Sequence, residues 1–207
     1  FHDTPKWLRD FNTVVEQDPL GRAKEAKQEI EFIKAHAELA ERLVRMQRNG
    51  ELPVRVTHND TKFNNVLIDT DTGEAICVID LDTVMPGLCA YDFGDAIRFA
   101  ASSAAEDETD LSKVYLDMDY YEAFTRGYME AAGKDLTPNE IDTMALGAIT
   151  ITLELASRFL ADHIDGDRYF HIHHENHNLE RAKNQLKLVE DMEAKYPFMC
   201  EIVKKYA

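Results

Sequence analysis

Between Val56 and Leu67 the chain sets His58, Asn59, Asp60, Lys62 and Asn65 in an otherwise apolar setting, and Asp80 and Asp82 follow in Val78-Ile79-Asp80-Leu81-Asp82. Asp60 is a carboxylate able to take a proton from a hydroxyl nucleophile, and Lys62, two residues on, offers positive charge to a phosphoryl group. Asn65 supplies an amide oxygen and Asp80 a carboxylate, both hard donors suited to Mg²⁺. A base, a phosphate-directed cation and two metal ligands are the parts that phosphoryl transfer requires.

For these groups to meet, the backbone must double back between them. Val66-Leu67-Ile68 is a short apolar run, Asp71-Thr72-Gly73 is a turn signal, and Ala75 to Leu81 is a second β-rich run. A hairpin therefore brings Asp80 beside the segment that holds Asn65.

The remaining periodicity is helical. Residues 1–20, with Pro5 and Pro19, read as an irregular or briefly helical lead-in. Ala26, Ile30, Ile33, Ala37, Ala40 and Val44 recur every three or four residues, which predicts one long helix over 22–49 stopped by Gly50. Leu52 to Val56 is extended. The chain turns helical again beyond Gly94, and over Ser112 to Ala132 ahead of Gly133. Thr137-Pro138-Asn139-Glu140 carries a capping box and a first-turn proline, starting a helix that reaches about Ile164. A last helix spans 178–195 and halts before Pro197. The expected architecture is α+β and mainly helical, with a small hairpin near the centre.

Composition excludes several classes. The chain has 207 residues, 44% of them hydrophobic and 30% charged, which is ordinary globular composition. Its 23 Lys and Arg against 39 Asp and Glu give a net charge of −16, which repels phosphate backbones and anionic lipid. Nucleic-acid and membrane partners are therefore not expected. The apolar run from Met144 to Leu153 is about half a membrane span and reads as a buried helix. Cys77, Cys89 and Cys200 lack pairing or ligand spacing, so a reducing, cytoplasmic setting is expected. The opening Phe1-His2-Asp3, in place of Met, reads as a fragment or processed product.

His58-Asn59-Asp60-Thr61-Lys62-Phe63-Asn64-Asn65 fits the kinase catalytic-loop pattern H-x-D-x-x-x-x-N. Asp80 stands where the metal-binding aspartate of a D-F-G segment would be. The Ile79-Asp80-Leu81-Asp82 form resembles the aminoglycoside phosphotransferase and choline kinase superfamily instead. More narrowly, the stretches Thr57–Asn65, Asp80–Gly87 and Tyr91–Arg98 resemble the N-acetylhexosamine 1-kinases, which phosphorylate the anomeric hydroxyl of GlcNAc or GalNAc with ATP and Mg²⁺. That resemblance runs over most of the chain.

It implies Asp60 as catalytic base and acceptor contact, Lys62 as a γ-phosphate contact, and Asn65 and Asp80 as Mg²⁺ ligands. Asp82 becomes a further carboxylate at the metal, His58 holds the loop by hydrogen bonding, and Arg158 and Tyr169 help to hold the hexosamine. The resemblance also implies a β-rich lobe that clamps ATP. Residues 1–50 do not read as that lobe and no G-x-G-x-x-G loop occurs. The expectation is thus a single C-terminal, kinase-like lobe over 1–207, with catalytic loop 57–67, metal-binding segment 78–87 and helical substrate-binding region 112–195. By itself it should be a poor catalyst. Rival readings are a kinase for choline, an aminoglycoside or homoserine, and a non-catalytic module that binds a sugar or partner; oligomeric state is left open.

Other polar clusters have ordinary explanations. An Asp capping a helix near Gly94 and pairing with Arg98 accounts for Asp92, Asp95 and Arg98. His173 and His177 would share a helix face with ligand spacing, but a connection into the last helix is the simpler role. Arg158, among apolar neighbours, needs a partner: Asp142 or Glu154 on a structural reading, a substrate hydroxyl on a functional one.

Overall fold

The computed structural model describes all 207 residues. Seven helices and four short strands follow one another as α1 (Thr4–Gln17), α2 (Lys27–Ala35), α3 (Ala37–Arg48), β1 (Arg55–Thr57), β2 (Val66–Ile68), β3 (Ala75–Val78), β4 (Met85–Gly87), α4 (Cys89–Ala100), α5 (Met118–Ala132), α6 (Pro138–Asp165) and α7 (His177–Tyr206). The fold is thus mainly helical α+β with two small antiparallel sheets, and α6 is its central element, packing on α7, α4 and α1.

Thr137 caps α6 as expected: its hydroxyl accepts from the Glu140 amide while the Glu140 carboxylate accepts from the Thr137 amide. Glu140 also takes two hydrogen bonds from Arg55, at 2.9 and 2.7 Å, which pins β1 to the start of α6. Burial pushes this carboxyl up, but the bonds from Arg55 and Thr137 outweigh it and hold it down at about 2. By length and composition α6 would pass for a membrane span, yet 83% of its most apolar window is buried inside the fold. It is a core helix.

Helix α6 meets α4 at closest range where Gly94 faces Gly147. A Cβ on Gly147 would lie 2.1 Å from the Ala90 carbonyl oxygen, and one on Gly94 would lie 2.5 Å from the Gly147 carbonyl carbon. The two backbones touch directly there, so the side chains of α4 and α6 are set at a fixed offset from each other.

Both expected strand runs form, and β2 pairs with β3 across a turn where Gly73 takes φ +73° and the Asp69 carboxylate accepts the Asp71 and Thr72 amides. A second pairing, β1 with β4, closes the base of the loop that runs from His58 to Val84.

Four expectations are corrected. Residues 1–20 hold a full 14-residue helix, because Pro5 sits in the first turn, where its missing N–H costs nothing, and Asp3 caps the Lys6 amide. The helix expected over 22–49 is broken at His36, whose ring stacks on Phe32 at 4.1 Å and donates to the Phe32 carbonyl at 2.7 Å, ending α2 from within. Helix α4 starts at Cys89, five residues before Gly94. Helix α7 runs through Pro197 to Tyr206, with Met199 and Val203 beyond the proline buried in the core. That burial compensates for the lost intrahelical bond.

Candidate active site

The loop entered from β1 is held by helix α4. The Asp92 carboxylate accepts the His58 and Asn59 amides, both at 2.7 Å, and Asp95 accepts the Thr61 amide at 2.8 Å. The Thr61 hydroxyl donates to the Asp92 carbonyl at 2.6 Å. Burial raises the Asp92 carboxyl above the usual carboxylate range, while the two amides pull it back. Asp92 and Asp95 are therefore neither caps nor surface residues but the clamp of the loop. Their spacing of three residues on a buried helix face was the available signal, since buried carboxylates demand donors.

Asn59, at φ +65°, turns the chain sharply into Asp60. Its side chain donates to the Thr83 carbonyl at 2.9 Å and accepts from the Thr57 hydroxyl at 3.0 Å. His58 holds the loop, as expected. Its Nδ1 accepts from the Asp60 amide at 3.3 Å and its Nε2–H donates to the Ile79 carbonyl at 3.0 Å, tying the loop to the residue before Asp80.

Asp60 stands half-buried, with one carboxylate oxygen 3.1 Å from the Lys62 ammonium and the other accepting from the Asn65 side-chain amide at 2.9 Å. The same amide group donates to the Asp60 backbone carbonyl, which leaves the Asn65 side-chain oxygen facing away from Asp60. The Ile79 amide donates to the Asn65 carbonyl at 2.9 Å, so the hairpin brings Asp80 next to Asn65 along the backbone. Asp80 takes a left-handed conformation, φ +60°, and both Asp80 and Asp82 are exposed. Asn65, Asp80 and Asp82 offer oxygen donors only. Oxygen is the ligand type that Mg²⁺ takes, commonly from one or two carboxylates beside phosphate and water.

A cavity of about 410 Å³ opens beside Asp60 and Lys62. Its other walls are Phe1 and His2, Asp95 and Arg98 from α4, Glu154, Arg158 and Phe159 from α6, Phe170 and His171, and Arg181 from α7. Arg98 is buried and held by Asp95 at 2.9 Å and Glu106 at 2.8 Å, which bears out the expected pairing of Asp95 with Arg98. Arg158 has Glu154 as its nearest carboxylate, at 3.8 Å, whereas Asp142 lies 3.8 Å from Lys204. The Arg158 guanidinium lies 4.5 Å over the Trp7 ring and within 5.8 Å of the rings of Phe1, Tyr169 and Phe170.

Tyr169 is the one sequence-derived acceptor contact that does not line this cavity. It is 72% exposed and borders an adjoining cavity of about 210 Å³ on the far side of Arg158. Its loop is nonetheless rigidly tied: the Asp162 carboxylate accepts the amides of Arg168, Tyr169 and Phe170 at 2.8–2.9 Å. Nor does the histidine run form a helix face. His173 precedes α7, and its amide donates to His177 Nδ1 at 3.2 Å.

The β2–β3 hairpin is bare: Leu67, Ile68, Ile76 and Val78 on it are each about half exposed or more, as is Leu81 just after it, and Val56 on β1 is 82% exposed. Exposed branched side chains grouped in this way make an apolar surface.

The sequence model of the phosphotransferase enzyme family matches residues 1–132. That span holds Asp60, Lys62, Asn65, Asp80 and Asp82, along with the α4 clamp, and ends before Arg158 and Tyr169.

Proposed function

The chain belongs to the phosphotransferase enzyme family, and from that premise we propose that it serves transfer of the ATP γ-phosphate to a sugar, at the anomeric hydroxyl of N-acetylglucosamine or N-acetylgalactosamine. The observation that carries the sugar reading is the balance of the 410 Å³ cavity. Four carboxylates (Asp60, Asp95, Glu106, Glu154) face four cations (Lys62, Arg98, Arg158, Arg181), with Phe159 and Phe170 as apolar walls. Charges of both signs, largely paired with one another, suit a neutral, hydroxyl-rich ligand that carries one methyl-bearing substituent. A quaternary or polyamine acceptor calls for an aromatic cage or excess negative charge. Here the protein's own Arg158 already fills the aromatic cage.

In this reading the acceptor hydroxyl faces Asp60. As its oxygen bonds to the γ-phosphorus and the bond to the β-phosphate oxygen breaks, the hydroxyl proton passes to the Asp60 carboxylate and ADP leaves. Lys62, 3.1 Å from Asp60, places positive charge beside the phosphoryl group as negative charge gathers there. Asn65, Asp80 and Asp82 would hold Mg²⁺, which supplies neutralisation of the phosphate oxygens when bound. The apolar hairpin face takes the nucleotide base, and the cavity between α4, α6 and α7 takes the sugar. The chain is on this account the acceptor-side lobe of a kinase-like enzyme, with acceptor contacts shared between the Asp60 loop and α4 on one side and the helical region 112–195 on the other. Tyr169 acts through Arg158, whose aromatic surround it completes, and reaches the sugar only if its ring turns over Arg158.

The test is ADP release by the complete protein with Mg-ATP against GlcNAc, GalNAc, galactose, choline and kanamycin. Turnover with the two N-acetylated sugars is expected to exceed that with galactose by about 10- to 200-fold, the discrimination that seating one methyl-sized group supplies. Turnover confined to choline or kanamycin would discard the sugar.

A further inference from the structure

His2 lies where the N-terminal segment, the Asp60 loop and α6 meet. Its side chain is 6% exposed. Its Nδ1 lies 2.9 Å from the Glu154 carboxylate and its Nε2 3.2 Å from the Asn59 carbonyl. Glu154, on α6, is 1% exposed and is further satisfied by the Thr4 hydroxyl at 3.1 Å. Asn59 is the left-handed residue whose carbonyl belongs to the peptide group leading into Asp60.

The two ends of that peptide group are therefore held by two histidines. His2 binds its oxygen, and His58 accepts its N–H at 3.3 Å. The orientation of this plane sets where the Asp60 side chain leaves the backbone. Through Glu154 Oε1, which His2 shares with Arg158, the same contact ties the Asp60 loop to the sugar side of the cavity.

We infer that His2 is a positioning residue for phosphoryl transfer, acting on Asp60 through the Asn59 carbonyl and registering it against Arg158 through Glu154. This rests on the function proposed above. The two bonds can be separated chemically. The amide of His2→Gln reaches the position of Nε2 and so the Asn59 carbonyl, whereas that of His2→Asn reaches the position of Nδ1 and so Glu154.

Both variants would be made in the complete protein, with thermal melting to establish that each folds. For His2→Asn we expect kcat to fall on the order of ten- to a hundredfold, the cost of misplacing a reacting group, with the sugar KM changed by less than about threefold. His2→Gln should keep several times more kcat than His2→Asn. Were His2 needed only to satisfy the buried Glu154, the order would reverse, and that result overturns the proposal. Equal kcat for both variants and the parent overturns it too. The amide resonances of Asn59 and Asp60, read by ¹⁵N–¹H NMR on the complete protein, keep this test apart from the functional reading. They should shift in His2→Asn and stay near their original positions in His2→Gln whether or not the acceptor is a sugar.

Discussion

Asp60→Asn in the complete protein should lower kcat for phosphoryl transfer by about 10²- to 10⁴-fold, the range for a positioned general base, and leave binding of Mg-ATP and sugar nearly unchanged. Asparagine keeps the shape of the side chain and one acceptor oxygen, so the bond from Asn65, now 2.9 Å, can persist. What it lacks is a site for the hydroxyl proton. The loop itself should not collapse, because its backbone is held from outside by Asp92 and Asp95 through three amides at 2.7–2.8 Å. Single-turnover ADP release measures the loss, and calorimetric titration with sugar and nucleotide checks that both still bind. Turnover within tenfold of the parent would remove Asp60 from the proton-accepting role.

The second large effect concerns stability. Glycine-to-alanine exchange inside a helix ordinarily gains about 0.5–1 kcal/mol. Gly147→Ala should do the opposite, because its methyl would sit 2.1 Å from the Ala90 carbonyl oxygen with backbone, not a flexible side chain, in the way. Helices α4 and α6 would have to separate, loosening the packing of Phe93, Ile97 and Ile151, all buried in the shared core. A cost of about 3 kcal/mol or more is expected, near the top of the range for overpacking. For a chain of this length that lowers Tm by roughly 6–12 °C. Gly127→Ala is the matched control: Gly127 lies in α5 with nothing within 4 Å of its missing Cβ, so its exchange should hold or raise Tm. A Gly147→Ala chain that melts with or above the parent would contradict the close contact of α4 and α6.

The grouping of the loop residues was legible in the sequence because they are close in the chain. His58, Asp60, Lys62 and Asn65 span eight residues, and one hairpin delivers Asp80, so short-range patterns alone bring them together. The capping box of α6 was legible for the same reason. What escaped was long-range. Nothing in the spacing of Gly94 and Gly147 announces that two backbones touch, and Gly94 therefore read as a helix start when it lies inside α4. The clamp by Asp92 and Asp95 depends on α4 lying across the loop, which only the packing on α6 imposes. His2 stands 57 residues from the carbonyl it holds and 152 from its carboxylate partner. Prolines misled at both ends of the chain: Pro5 starts a helix and Pro197 is carried within one, because position in the first turn and burial of the following residues decide what the missing N–H costs. Arg158 was proposed through resemblance, and the structure adds that its guanidinium sits among four aromatic rings, 4.5–5.8 Å from their centres, with the Glu154 carboxylate 3.8 Å away.

The most direct measurement of the central claim is the ³¹P and ¹H NMR spectrum of the product that the complete protein forms from Mg-ATP and N-acetylglucosamine. Phosphate on C1, seen as phosphorus coupling to the anomeric proton and loss of the reducing end, is the predicted result. Phosphate on C6, or an unchanged sugar beside intact ATP, would contradict it.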